Sequence, residues 1–541
     1  MGRLAARRRR CHSFAWGRTM REIAIIGLAV AAGLVPVAVP RAALATLSAQ
    51  QLVPASDRPA RQPIARATIE AVDVELQVEF TDEQLSYYHM QTMLSRDFEA
   101  MRMYRPGYSF WQHVFTIPDG SVAFGSAEDG RLLAVFPSRG DWIHGGRWVE
   151  EWLAPTLAGA TLERRLASRR GQVEDLLTPV VGEVIHNQTR GEFLRPNAER
   201  YGAFLREWGS IYERFGVPAE IGLAQAAVES GLDGRIRSEA RALGFCQWLD
   251  GNWKRLKRLA PGIIEGYNQT TQAPYCAAYL AILATKYGTF IPALSEHHAG
   301  GTNVGRTVIN GQRLGGTDTR EQYLLGSRFA LDLRDLSTRT YRDMVRTYGP
   351  RSYRYAEMIF GNAETIRNIM SSVEQVEIYA IMVSQTISLE EVARRTGLST
   401  DEVQRYNPAL VRRVPRGANL YLPFAAEGLG PDTSFWHRPP SPEYAEVLKE
   451  FVHLNRSPDE WDLRSFEPVL TDFQRRFEAT GTEEGMVMGT VLEYYMDEAY
   501  RSRRSTILAE FRSSDRIREL FERGLRERSA VVPVSRAGGG G

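Results

Sequence analysis

The chain has 541 residues, 43% hydrophobic and 24% charged, which is ordinary for folded globular protein and too long for one core, so three or four domains are expected. Sixty-seven basic residues stand against 65 acidic ones. Without residues 1–45, which hold eight arginines and one glutamate, the balance is 59 to 64, a net charge of about −5 that excludes a nucleic-acid binder by charge.

The first predicted element is a leader. Arginines precede the apolar run Ile23-Ala-Ile-Ile-Gly-Leu-Ala-Val-Ala-Ala-Gly-Leu, and Ala43-Leu44-Ala45 follows it, which reads as a secretory signal over 1–45 with an Ala-x-Ala cleavage site. Pro36, Pro40 and the small residues argue against the alternative, a retained membrane anchor, so no transmembrane anchor is expected after cleavage. Met20 sits just before a conventional signal, so residues 1–19 are either an extended n-region or an upstream start, and nothing after Arg7–Arg10 supports twin-arginine export. No cysteine follows the apolar run at a lipid-attachment position. Export removes Cys11 and leaves Cys246 and Cys276 as an even pair in an oxidising compartment. A disulfide tying the Gln247 loop to the next helix, and two separate buried thiols, are both open.

Residues 46–66, with Pro54, Pro59 and Pro63, read as a flexible linker, and 67–190 as an N-terminal α+β domain of unknown role. In it, Val72, Val74, Leu76, Val78 and Phe80 alternate with acidic and polar residues as a half-buried strand. Thr81 to Gln84 matches a capping box and starts a helix running toward Met103. Val114–Ile117, the turn at Pro118-Asp-Gly120, Val122–Phe124 and Leu132–Phe136 read as a small antiparallel unit. Trp142, Trp148 and Trp152 either extend a sugar-binding cleft or pack a core.

Next come Phe193-Leu-Arg-Pro, Tyr201, Trp208, Tyr212 and Phe215-Gly-Val-Pro, leading into Ile221-Gly-Leu-Ala-Gln-Ala-Ala-Val-Glu229-Ser230-Gly231. Ile221, Ala224 and Val228 share one helical face, and Gly231 can end that helix. A carboxylate where an apolar helix opens into a loop is partly desolvated, which raises its pKa toward the range of a general acid; a solvated helix-end glutamate is the plain alternative. Ser238-Glu-Ala-Arg-Ala242-Leu-Gly244-Phe-Cys-Gln247 follows, then Ala277-Ala-Tyr279-Leu280 through Tyr287-Gly288, Glu296-His297-His298-Ala299-Gly300 and Tyr353-Arg-Tyr355-Ala-Glu357.

Together these segments resemble the lysozyme-like lytic transglycosylases, with the serine, alanine, second glycine and glutamine of their Ser-x-x-Gly-Ala-x-Gly-Leu-Met-Gln signature in place. Arg241 replaces the first glycine and Phe245-Cys246 the Leu-Met pair. His297 and His298 stand where the family has tyrosine and asparagine, and Arg351 stands for a glutamate. The resemblance covers 191–372 and implies cleavage of the β-1,4 bond between N-acetylmuramic acid and N-acetylglucosamine, with Glu229 as acid and then base. Ser230, Ser238, Gln247, His297, His298 and Tyr355 would bind the sugar or orient Glu229. Two alternatives stay open: a goose-type-lysozyme-like hydrolase, and a catalytically inactive peptidoglycan-binding scaffold. No cofactor is implied, and the histidine pair lacks the ligand spacing of a metal site.

Farther on, Tyr379–Val383, Ser384-Gln385-Thr386-Ile387-Ser388, a helix over Leu389–Thr396, a second helix ending at Tyr406-Asn407-Pro408, and Arg416-Gly417-Ala-Asn-Leu420-Tyr-Leu422-Pro423 read as strand, helix, helix, strand. This stretch, within 373–425, resembles a LysM module. That implies a glycan groove on the loops Ser384–Ser388 and Asn407–Arg413, with Ser384, Gln385, Thr386, Asn407 and Pro408 as candidates; a packed spacer that no longer holds sugar is the other reading.

A linker over 426–440 contains Trp436-His-Arg-Pro-Pro440, and Ser441-Pro442-Glu443 then caps the first helix of a helical region, 441–530, that reads as a partner-binding or packing domain. Residues 531–541 read as a disordered tail. The whole is therefore expected to be a mainly α multidomain chain, α+β overall, exported to the periplasm or cell envelope. Its expected partners are peptidoglycan glycan strands and, through the C-terminal helices, envelope or division proteins.

Overall fold

The computed structural model describes residues 80–259, 267–336 and 350–531. The expected leader, the linker 46–66, residues 72–79 of the expected first strand and the tail beyond 531 lie outside them. The chain divides into Met1–Phe80 and Thr81–Gly541, and the second unit carries the elements below. Its described residues are mostly helical, with a four-stranded sheet and three two-stranded ones among them.

Thr81 opens the first helix, Asp82–Tyr104, with the expected capping box: its Oγ1 accepts from Gln84 N at 3.2 Å, and its own N donates to Gln84 Oε1 at 2.9 Å. Met90, Met93, Leu94, Asp97 and Met101 recur at three- and four-residue spacing and bury one face. Val114–Ile117, expected as a strand, is not one: Trp111–Thr116 is helical. Phe110, Trp111, Val114 and Phe115 bury a helical face, a period that a four-residue apolar run cannot reveal.

The sheet has the order Arg147–Trp148, Leu132–Pro137, Ser121–Ser126, Val184–Gln188, all neighbours antiparallel. The last strand went unread because two apolar residues, Val184 and Ile185, precede His186-Asn187-Gln188. Val122 and Phe124 face a small core with Phe136, Leu153 and Leu177, while Ala123 points into the main core. Trp142 is buried in the small core and Trp148 packs against it, whereas Trp152 is 57% exposed.

At the centre of the main core runs the helix Ala219–Ser230, apolar on every side from Ile221 to Val228 apart from Gln225. The helices Leu205–Arg214, Gln269–Tyr287 and Tyr355–Ser372 surround it. The strands Tyr379–Met382 and Asn419–Leu422 pair antiparallel around the helices Leu389–Thr396 and Thr400–Tyr406, in the expected βααβ order. This unit does not hang free: Tyr406 packs on Phe204 with ring centroids 4.7 Å apart, and the Tyr421 hydroxyl lies 2.6 Å from Thr271 Oγ1.

The segment 426–440 departs from a linker. Glu207 Oε2 accepts from Ile378 N at 3.1 Å and Trp436 Nε1 at 2.9 Å, and it pairs with His437 Nε2 at 2.6 Å. One buried carboxylate thus straps this segment to the core. Beyond it, Ser441 caps Pro442–Val452 as expected. The C-terminal helices join the main core through Phe451, Phe477, Tyr494 and Tyr495. Among the described residues no helix is long and apolar enough to cross a membrane.

Candidate active site

The central helix stops because Gly231 takes the left-handed conformation, at φ 58°, and its N–H closes the last turn. A Cβ there would lie 2.2 Å from Phe193 O, so the chain can leave the helix by this route only with glycine. Glu229 is therefore presented in the last turn with its side chain 13% exposed. Tyr355, at the start of its own helix, donates from its hydroxyl to Glu229 Oε1 at 2.5 Å. His298 Nδ1 lies 3.6 Å from the same oxygen, and its ring stacks on Tyr355 with centroids 4.4 Å apart and an interplanar angle of 9°. Both partners meet Oε1; among the described residues no donor meets Oε2.

Behind this trio lies Arg105, on the turn after the first helix. Its Nε lies 2.9 Å from Glu357 Oε1, and its Nη2 donates to Leu324 O at 2.7 Å and Ser327 Oγ at 2.9 Å. This buried pair fixes the first turn of the Tyr355 helix and so the height of the Tyr355 ring. Gln225, one turn before Glu229, is fully buried, and among the described residues neither atom of its amide has a hydrogen-bond partner.

Burial alone pushes the Glu229 carboxyl up, as the sequence led one to expect, but the shift goes the other way. The nearby imidazole of His298 and its charge, the charge of His297 and the Tyr355 hydroxyl outweigh burial and hold it below the ordinary carboxylate range. Burial also lowers His297, against the raising influence of Glu229. The sign could not be read from the apolar helix because the three opposing groups come from elsewhere in the chain.

The two histidines have separate tasks. His297 Nε2 bonds Cys246 O at 2.7 Å. Cys246 sits between the short strands Ala242–Leu243 and Trp248–Leu249, and it is disulfide-bonded to Cys276 on the helix Gln269–Tyr287. Gln272, one turn before Cys276, accepts from Phe245 N at 2.6 Å and donates to Gly234 O at 3.1 Å. Gly244, at φ 81°, leaves room for that amide, since a Cβ would sit 2.4 Å from it. Leu232, Arg241 and Gln247 are non-glycine residues with φ of 70°, 65° and 52°. Backbone strain is thus concentrated in the loop beside the carboxylate.

Ser230 does not reach a cleft: it is fully buried, and its hydroxyl bonds the carbonyls of Ala226 at 2.8 Å and Phe245 at 3.0 Å. Ser238 Oγ accepts from Ala242 N at 3.0 Å on an exposed turn and keeps its own proton to give. Gln247 spends its amide nitrogen on Ile236 O at 3.1 Å and Gly244 O at 3.0 Å, leaving Oε1 as an acceptor. In the βααβ unit Ser384, Gln385 and Thr386 are exposed, and Ile387-Ser388 pairs with Arg413-Val414, so the two expected loops adjoin. Asn407 is not on their surface: buried, it donates to Val403 O and Tyr421 O and accepts from Tyr421 N. Its neighbour Pro408 is half-buried.

Gln225, Gln272 and the Arg105–Glu357 pair are the residues that motif reading missed. The legible signal was a glutamine within each apolar helix, since a buried amide needs a reason. Among the described residues no three His, Cys, Asp or Glu side chains converge as metal ligands would. No protein-family model matches this chain, and no curated protein matches it.

Proposed function

We propose that this protein is an exported peptidoglycan lytic transglycosylase that cleaves the N-acetylmuramic acid–β-1,4–N-acetylglucosamine bond and leaves a 1,6-anhydro end. The observation that carries this reading is the convergence of Glu229, His298 and Tyr355, from three segments that resemble the family, with Tyr355 and Glu229 126 positions apart. Glu229 protonates the glycosidic oxygen as the bond breaks. As a carboxylate it then takes the proton of the C6 hydroxyl, whose oxygen attacks C1 of the same sugar. Support for a single-carboxylate scheme comes from Asp233, the acidic residue nearest in sequence, whose Oδ1 accepts from Arg235 N at 2.8 Å. Ser238 and the free Oε1 of Gln247 supply sugar contacts, and the exposed Ser384–Thr386 loop supplies a second glycan contact outside the cleft.

The test is a digest of purified sacculi read by mass spectrometry. Anhydro-ended products are expected from the parent, and Glu229→Gln should lower their yield by about 10²- to 10⁴-fold. Reducing ends without the anhydro mass loss would make the enzyme a hydrolase of the lysozyme kind. Equal product from parent and variant would remove Glu229 as the acid.

A further inference from the structure

We propose that Arg237, Arg241 and Lys254 form an anion subsite beside the candidate cleft, and that it takes the carboxylates of the peptide stems borne by a peptidoglycan strand. The proposal rests on the glycan reading of the site and adds a substrate class: strands that still carry their stems, rather than bare glycan.

The cluster is built on the loop that carries Ser238 and Gln247. Arg241 N donates to Ser238 O at 2.9 Å and Ser238 N to Ala242 O at 3.0 Å, so Arg237 and Arg241 flank the tight turn that presents Ser238. At the other end of the hairpin, Asp250 N donates to Arg241 O at 3.2 Å, and Gln247 lies between these ends. Asp250 then starts the helix Asp250–Leu259, which places Lys254 one turn on. Lys254 Nζ lies 2.7 Å from Asp250 Oδ2, Arg241 Nη2 lies 3.5 Å from the same oxygen, and Arg237 Nη2 lies 4.0 Å from Oδ1. Three cations thus converge on one carboxylate, which balances only one of them. Arg237 is steadied by Tyr267, whose hydroxyl accepts from Nη2 at 2.6 Å and whose ring centroid lies 5.7 Å from the guanidinium carbon. Arg241 keeps its side chain 72% exposed. It does so at φ 65°, a left-handed conformation that glycine adopts freely and that crowds the Cβ of any other residue. Strain of this kind clusters where a loop holds a ligand.

Neighbouring acids do not cancel the charge. Asp233 is paired with Arg235 at 3.3 Å. On the C-terminal helix Glu483–Arg501, Asp497 is paired with Arg255, and Glu498 accepts from Tyr279 at 3.3 Å. Glu239 is exposed on the Ser238 turn, and Lys257 and Arg258, exposed on the last turn of the helix, outnumber it. From 233 to 259 seven basic residues stand against three acidic ones, whereas residues 46–541 as a whole are acidic. Two guanidinium groups and an ammonium beside a turn that contacts sugar suit carboxylates tethered to that sugar. Peptide stems are such tethers, since they hang from the lactyl group of N-acetylmuramic acid and carry carboxylates along their length.

The test is sedimentation of the full protein with three kinds of sacculi: untreated, treated with carbodiimide and ammonia so that stem carboxylates become amides, and stripped of stems by an amidase. Binding does not need cleavage, so the result stands apart from the reaction read at Glu229. We expect the parent to bind untreated sacculi about 3- to 10-fold more tightly than amidated ones, in the range of two exposed ion pairs, and the advantage to fade as salt rises. Arg241→Gly, which relieves the backbone, and Lys254→Gln should each narrow that ratio, and the double variant should bring it near one. Equal binding of untreated and amidated sacculi by the parent overturns the subsite, and so does a ratio that the double variant leaves unchanged. Stripped sacculi bound as tightly as untreated ones would move the contact to the lactyl carboxylate and overturn the stem assignment. A preference for untreated sacculi in a parent that makes no cleavage products upholds the subsite and defeats the reaction. Cleavage of all three kinds with equal KM upholds the reaction and overturns the subsite.

Discussion

Glu229 is gripped on one oxygen and open on the other, and that asymmetry sets the behaviour of single residues around it. Tyr355→Phe removes the hydroxyl that holds Oε1, a charge-assisted bond in a mostly enclosed place. We expect kcat to fall about 10- to 100-fold with KM nearly unchanged, because a misplacement of about 1 Å costs that much. The same change should raise the Glu229 carboxyl, since Tyr355 is one of the groups holding it down, and carboxyl ¹³C titration reads that shift. Which residues could matter was legible at this scale, but not what each would do. Glu229 stood out because an apolar helix ended on it, and Tyr355 because it matched a motif. The tasks of His297 and His298 were not separable in advance: neighbours on a helix point about 100° apart, and which one meets the carboxylate depends on how that helix is rolled. Ser230 and Asn407 were marked by motif position, yet both turn inward to bind backbone carbonyls.

The element that carries Gln247 is the short hairpin from Ala242 to Leu249, too small to hold itself up. It is held by the Cys246–Cys276 disulfide, by Gln272 and by His297. Replacing both cysteines by serine opens a closure across 30 residues and should cost about 2–4 kcal/mol, read as a lower denaturation midpoint. Activity should fall with it, because the carbonyl that seats His297 belongs to Cys246. Long amphipathic and capped elements were legible from sequence, as Thr81 and Ser441 show. Short ones were not: the Trp111–Thr116 helix read as a strand, and the strap 426–440 read as a linker. Proline and polar residues suggest a loose segment, and nothing local announces that Glu207, more than 200 positions earlier, will hold Trp436 and His437.

At the scale of the molecule, the C-terminal helices pack into the body that carries the candidate site rather than standing apart as a partner module. Tyr494 stacks on Trp248, next to Gln247, with ring centroids 5.5 Å apart, and Arg504 Nη1 reaches Glu296 Oε1 at 2.7 Å. A chain ended at Ala425 should lose its cooperative thermal transition and its activity together. A truncated protein that melts sharply and still cleaves sacculi would show that these helices are an independent appendage. The sequence left partner binding and packing both open, because a helix that faces its own protein and one that faces a partner carry the same apolar stripe.

Glu296, the residue before His297, is enclosed with Lys286, Asp462 and Arg504, two cations and two anions with almost no exposure to water. Leaving such a group unmatched costs roughly 3–5 kcal/mol, so the quartet closes as a unit or not at all. Arg504 follows Glu296 by 208 positions. The segment bearing both histidines therefore cannot settle until nearly the whole chain has been delivered and folded. A site built this way is incomplete in every shorter intermediate, and the order of assembly decides when it forms.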